Sequence, residues 1–159
     1  VSTAIMLIPY HENYQAGWVY QSAPVHKPGN IVSGATKSLL VKYFGPLYLI
    51  LASAAIFIWG IKIIDDLLLG LMNNIFIVLC IVNLYNIYLP FSMQPNIKSQ
   101  SGKFAKMLLQ FIIMGILILL HYLALRIWWL VPVLIPVMTL VTWGMIKRIQ
   151  QFPWSKFSI

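Results

Sequence analysis

Few residues in this chain have side chains suited to covalent or acid–base chemistry. The 159 residues hold three carboxylates (Glu12, Asp65, Asp66), three histidines (His11, His26, His121) and one cysteine, Cys80. Paired carboxylates can share acid–base work. Asp65 and Asp66, however, are adjacent and close to Lys62 in a stretch that reads as a turn, where Asp more often caps a helix and faces water. No histidine has a partner with ligand chemistry three or four positions away, so no metal site is expected. A lone cysteine forms no intramolecular disulfide and fits a small packed residue. The sequence has no G-x-x-x-x-G-K-[ST] phosphate loop, so ATP binding of that kind is not expected. Neither a catalytic residue nor a cofactor is expected.

Two other sets of residues are more informative. Asn73, Asn74, Asn83 and Asn86 lie inside an apolar run. Asparagine is costly in lipid unless it bonds another helix or faces water. Asn83 and Asn86 are three apart and share a helical face. They read either as interhelical glue or, with Asn73, Asn74 and His121, as the polar wall of a substrate path. His121 reads as an interfacial or interhelical donor, or as a proton relay. The second set is the stretch GWVYQSAPVHKPGNIVSGATK, Gly17 to Lys37, which collects turn, aromatic and basic chemistry ahead of the first long apolar run.

The elements that position these residues follow from composition. Hydrophobic residues make up 60% and charged residues 9%, against about a half and about a quarter in soluble domains. Four stretches carry no Asp, Glu, Lys or Arg: 43–61, 67–97, 107–125 and 127–146. About 20 apolar residues cross a hydrocarbon core as a helix. Backbone groups in lipid are satisfied only in helices or closed barrels, and barrel strands would alternate. The second stretch is cut by Pro90 and Pro95. The expected fold is therefore an all-α polytopic membrane protein with four transmembrane helices at roughly 45–64, 67–89, 105–125 and 127–146. The connectors agree: Ile63–Asp66 reads as a tight turn, 90–103 as a polar loop, and 125–129 as a short turn with interfacial tryptophans. Ala52, Ser53, Ala54 and Ala55 give the first span a small-residue patch, and Pro132 and Pro136 can kink the fourth.

The net charge of +8 follows from topology. With residues 1–43 in the cytoplasm, nine basic residues fall inside and only Lys62 and Arg126 outside, a strong positive-inside bias. Nucleic-acid binding is therefore not needed to explain the charge. The expected organisation is a cytoplasmic or interfacial segment at 1–43, a transmembrane region at 44–147 and a basic cytoplasmic tail at 148–159.

Within Gly17–Lys37, Pro28-Gly29 is a turn signal. Asn30 suits the cap of a helix from Ile31, and Ile31, Ala35, Leu39 and Leu40 recur at helical spacing. An amphipathic helix leading into the membrane is expected, which by itself reads as an interfacial anchor. The stretch also carries a resemblance, through Trp18, Tyr20, Ala23, Pro24, Val25, Pro28, Gly29, Ile31, Gly34, Ala35 and Lys37. With Leu89–Ser92 (LPFS), His121-Tyr122 and the closing Trp154–Phe157, it resembles the C-terminal part of ABC-type (ABC-2-like) exporter permeases, over nearly the whole chain.

The resemblance implies a permease subunit that moves a substrate with a separate ABC ATPase subunit, so that any ATP hydrolysis is done by the partner. It implies that residues 17–37, through Trp18, Tyr20, Pro24, Pro28, Gly29, Gly34 and Lys37, contact that ATPase. Such permeases have six or more spans. With Val1 opening the chain, that implies a missing N-terminal transmembrane half as a further partner, in a bacterial inner membrane, beside lipid and no nucleic acid. The alternative is a non-transporting membrane scaffold with a basic cytoplasmic face.

The topology is testable. In a Cys80→Ala background, a cysteine at Asp65 should react with an impermeant reagent in intact cells. A cysteine at Ser155 should be shielded, and external labelling of Ser155 would overturn the orientation.

Overall fold

The computed structural model describes residues 2–22, 25–84, 88–94, 103–127 and 129–157. Among them the chain is helical throughout, with no strand and one isolated parallel bridge between Tyr10 and Met93. Two short helices, α1 (Ser2–Leu7) and α2 (Val19–Ser22), the latter preceded by a 3-10 turn at Tyr14–Trp18, lead into α3 (Gly29–Leu39). A π turn at Leu40–Phe44 joins α3 to α4 (Gly45–Trp59). After a 3-10 turn at Ile61–Ile63 come α5 (Ile64–Leu84), α6 (Lys103–Ala124) and α7 (Leu130–Gln150), then a 3-10 turn at Trp154–Lys156. Four helical stretches are long and apolar enough to cross a membrane: Gly29–Trp59, Ile61–Leu84, Met107–Ala124 and Leu130–Gln150.

Each expected span is present with shifted ends. The first extends back through the expected amphipathic segment to Gly29, so the boundary drawn at residue 43 falls inside a continuous helix. It stops at Gly60, whose φ of 78° and ψ of −178° suit only glycine. The turn expected at Ile63–Asp66 is therefore at Gly60–Ile63. Asp65 and Asp66 already lie in the first turn of α5, where the positive end of the helix dipole favours carboxylates. The second span is described as far as Leu84, short of the expected 89.

The π turn has a sequence cause. Pro46 has no N–H to give the Lys42 carbonyl and would crowd it in a regular helix. The ladder widens instead: the Gly45 N–H bonds the Leu40 carbonyl, five residues back.

The core is built on α5 and α7. Leu69, Val78, Leu79, Ile81 and Val82 of α5 are buried, as are Val131, Thr142 and Ile149 of α7. At one end Leu69 packs with Ala124, the last residue of α6, and with Val131, near the start of α7. At the other, Leu79 and Val82 cluster with Val32, Leu89, Ile149, Phe152 and Phe157. The helices thus alternate in direction, with α5 and α7 parallel. The flanking helices are nearly bare: α4 buries no residue, and of the described side chains of α6 only Ala124 is buried. The Ala52–Ala55 patch packs into no groove; Ser53 and Ala54 are exposed. One hydrogen bond ties α4 to α5, from the Tyr48 hydroxyl to the Leu67 carbonyl.

The buried face of α3 is not the expected one. Gly29, Val32, Ser33 and Thr36 are buried, whereas Ile31, Ala35, Leu39 and Leu40 are half-buried. Small side chains let α3 approach α7 closely. Thr36 satisfies its hydroxyl on the Val32 carbonyl at 2.8 Å, so the polar group carries no desolvation penalty. Pro28, not Asn30, is the N-cap residue, and no side chain caps this end. Gly29 lies so close to the end of α7 that an added Cβ would fall 2.0 Å from the Ile149 carbonyl oxygen. Gly34 has open space on its outer side.

Two glycines of one helix should therefore respond with opposite sign. Gly29→Ala must displace backbone, and overpacking costs about 1–3 kcal/mol. Gly34→Ala should leave stability equal or raise it by up to about 1 kcal/mol, because alanine loses less entropy in a helix. Thermal unfolding of the two variants in the same lipid checks the contrast.

Candidate functional site

The residues of Gly17–Lys37 divide into two groups. One is turned inward. Pro28 is fully buried and Gly29 faces the Ile149 carbonyl. The Tyr20 ring packs partly buried against the cluster at the end of α5 and α7, and burial pushes its hydroxyl above the ordinary value. Tyr20 and Pro28 are thus part of the chain's own packing. The other group is turned outward: Trp18 is 63% exposed, and Gly34, Lys37, His26 and Lys27 are exposed beside it in sequence. Pro24 lies outside the described residues.

Two distant stretches complete this end of the bundle. The Trp154 Nε1–H donates to the Val25 carbonyl at 3.0 Å, across 129 positions of sequence. Trp154 and Phe157 meet edge to face with centroids 6.4 Å apart, within the spacing usual for aromatic pairs. Phe152 and Phe157 are buried in the cluster, and the Lys156 ammonium lies 4.7 Å from the Phe152 ring centroid. The tail expected at 148–159 as a basic extension is therefore packed down by its aromatics. Leu89 enters the same cluster, and Gly17 lies against Ser92. The LPFS turn is fixed by the N-terminal segment. The Phe91 N–H donates to the Ile8 carbonyl at 2.9 Å, the Met93 N–H to the Pro9 carbonyl at 2.8 Å, and the His11 N–H to the Met93 carbonyl at 3.0 Å. Phe91 adopts φ 58°, a left-handed conformation rare for an aromatic residue. Its ring edge meets His11 at 5.4 Å.

The described asparagines of the second span are spread along α5. Asn74 Nδ2 donates to the Gly70 carbonyl and Asn83 Nδ2 to the Leu79 carbonyl, each at 2.8 Å and within α5. Each side chain thus places one N–H on a carbonyl of its own helix, four residues back. Asn73 is half-buried about 15 Å along the helix from Asn83, and Asn86 lies outside the described residues. His121 is half-buried in the last turn of α6. In the following turn Arg126 donates to the Tyr122 hydroxyl at 3.0 Å. No group of three His, Cys, Asp or Glu able to hold a metal occurs among the described residues.

Sequence reading missed the N-terminal strap and the docking of the tail. The signal for the tail was a pair of aromatics three apart after Pro153; the strap rests on backbone groups and leaves no side-chain pattern.

The architecture defines an all-α, multi-pass membrane protein in which contacts between distant segments gather at the end where α3 begins and α7 finishes. Comparison with protein-family models, curated proteins and solved structures finds no match.

The indole bond is directly testable. Trp154→Phe keeps a ring in place but strands the Val25 carbonyl, at a cost of about 1 kcal/mol. Hydrogen exchange at the tail and at residues 25–29 should rise together, and thermal unfolding should register the loss.

Proposed function

We propose that this chain is the membrane-embedded permease part of an exporter driven by a separate ABC-type ATPase, with the end that carries Trp18 in the cytoplasm. The observation that supports this reading is convergence. Three stretches that carry the permease resemblance, residues 17–37, 89–92 and 154–157, lie far apart in sequence and gather at one end of the bundle. There they fix a base of Tyr20, Pro28, Gly29, Trp154 and Phe157, and leave Trp18, Gly34 and Lys37 outward. A rigid base under an exposed aromatic and a cation is what an interface anchor requires. The bare sides of α4 and α6 fit a larger assembly, in which the further spans of such permeases would complete a path.

The second reading, a scaffold without transport, is favoured by one observation: Asn74 and Asn83 of α5 each donate to a carbonyl of their own helix. Co-purification of the full-length protein with an ATPase, followed by turnover measurement, separates the two. Trp18→Ala should weaken ATPase association by about 2 kcal/mol or more while membrane insertion stays intact. Unchanged association and export in both Trp18→Ala and Gly34→Leu would remove the coupling role.

A further inference from the structure

The π turn at Leu40–Phe44 leaves a backbone acceptor open at a defined depth. In a regular helix the Val41 carbonyl would receive the Gly45 N–H. Here that N–H goes to Leu40, and the next position along, Pro46, has no N–H to offer. The Lys42 carbonyl loses its ordinary donor to the same proline. Helix interruptions of this kind are frequent at functional sites, and an acceptor without a donor near hydrocarbon is costly.

The surroundings point to what supplies the donor. Val41 is 74% exposed, and Lys42 and Tyr43 are exposed beside it. The Lys42 ammonium lies 5.5 Å from the Tyr43 ring centroid. Lys42 and Lys62 are 20 positions apart, and Arg126 and Lys147 are 21. Each pair brackets one helix, α4 ending at Trp59 and α7 starting at Leu130, and the helical part of each at about 1.5 Å per residue covers roughly 26 Å, close to the thickness of the hydrocarbon core. Lys42 and the open carbonyl are thus at the level of lipid headgroups. No carboxylate occurs anywhere on α3, the π turn or α4.

We propose that this turn is a phospholipid headgroup site, independent of any transport role. The Lys42 ammonium holds the phosphate, and the Val41 carbonyl accepts an N–H from a primary-ammonium headgroup of the ethanolamine type. A choline headgroup presents methyl groups in place of that donor. A glycerol headgroup offers hydroxyls without the positive charge.

The test uses the full chain in bilayer discs containing equal amounts of phosphatidylethanolamine, phosphatidylcholine and phosphatidylglycerol, with retained lipids counted by native mass spectrometry. The wild type should retain ethanolamine lipid about fivefold over choline lipid, the value of one net hydrogen bond. Pro46→Ala restores a regular ladder that occupies both carbonyls. It should erase that preference while total retention persists through Lys42. Lys42→Gln should lower retention of all three. Equal retention of ethanolamine and choline lipids by the wild type would overturn the proposal, because water would then satisfy the carbonyl. Preference for the glycerol lipid over the ethanolamine lipid would reduce the site to simple charge attraction and overturn it as well. An ethanolamine preference unchanged in both variants would place the lipid elsewhere.

Discussion

The seat of Gly29 against the last turn of α7 is the contact on which the described arrangement depends. It brings the start of α3 to the Ile149 carbonyl, closer than any side-chain-bearing residue allows. The two helices run in opposite directions there, so the positive end of one dipole meets the negative end of the other, a favourable pairing of modest size. Several other contacts lie beside it. Pro28 is buried at the entry, Val32 joins the cluster with Ile149, and Trp154 reaches back to Val25.

From that seat the chain pays little attention to compactness elsewhere. The α5–α7 pair has a continuous apolar face, while α4 and α6 leave large side chains such as Phe57 and Ile118 uncovered. In water such exposure would be untenable. In lipid it costs little, since hydrocarbon chains are as apolar as leucine, and helix association rests on packing and hydrogen bonds. The Tyr48–Leu67 bond is the one described side-chain link across the α4–α5 pair. The fold is thus rigid at one end and sparsely held along its flanks, an arrangement suited either to movement of α4 about the π turn or to further helices against it.

Several features were legible in the sequence because their physics is local. Four long uncharged runs oblige four helices, since lipid offers the backbone no other partner. Asp65 and Asp66 mark a helix start. Positions of the ends were less legible. Gly60 rather than the acidic pair stops the first span, because a backbone conformation with positive φ is decided by the path of the chain and not by charge. The face of α3 was misread for a related reason. Apolar spacing selected Ile31, Ala35, Leu39 and Leu40, yet close approach to α7 selects small residues, and Gly29, Ser33 and Thr36 are small before they are polar.

By itself the sequence determined an all-α membrane-spanning chain, the approximate position of each span and the uneven distribution of basic residues around them, because hydropathy and charge act residue by residue. Only the tertiary structure decided that residues 8–11, 89–93 and 152–157 pack around the same helix end, that Tyr20 turns inward while Trp18 turns outward, and that Asn83 donates to a carbonyl of its own helix. These outcomes depend on contacts between segments up to 129 positions apart and on backbone carbonyls. Neither is written in the identity or spacing of neighbouring side chains.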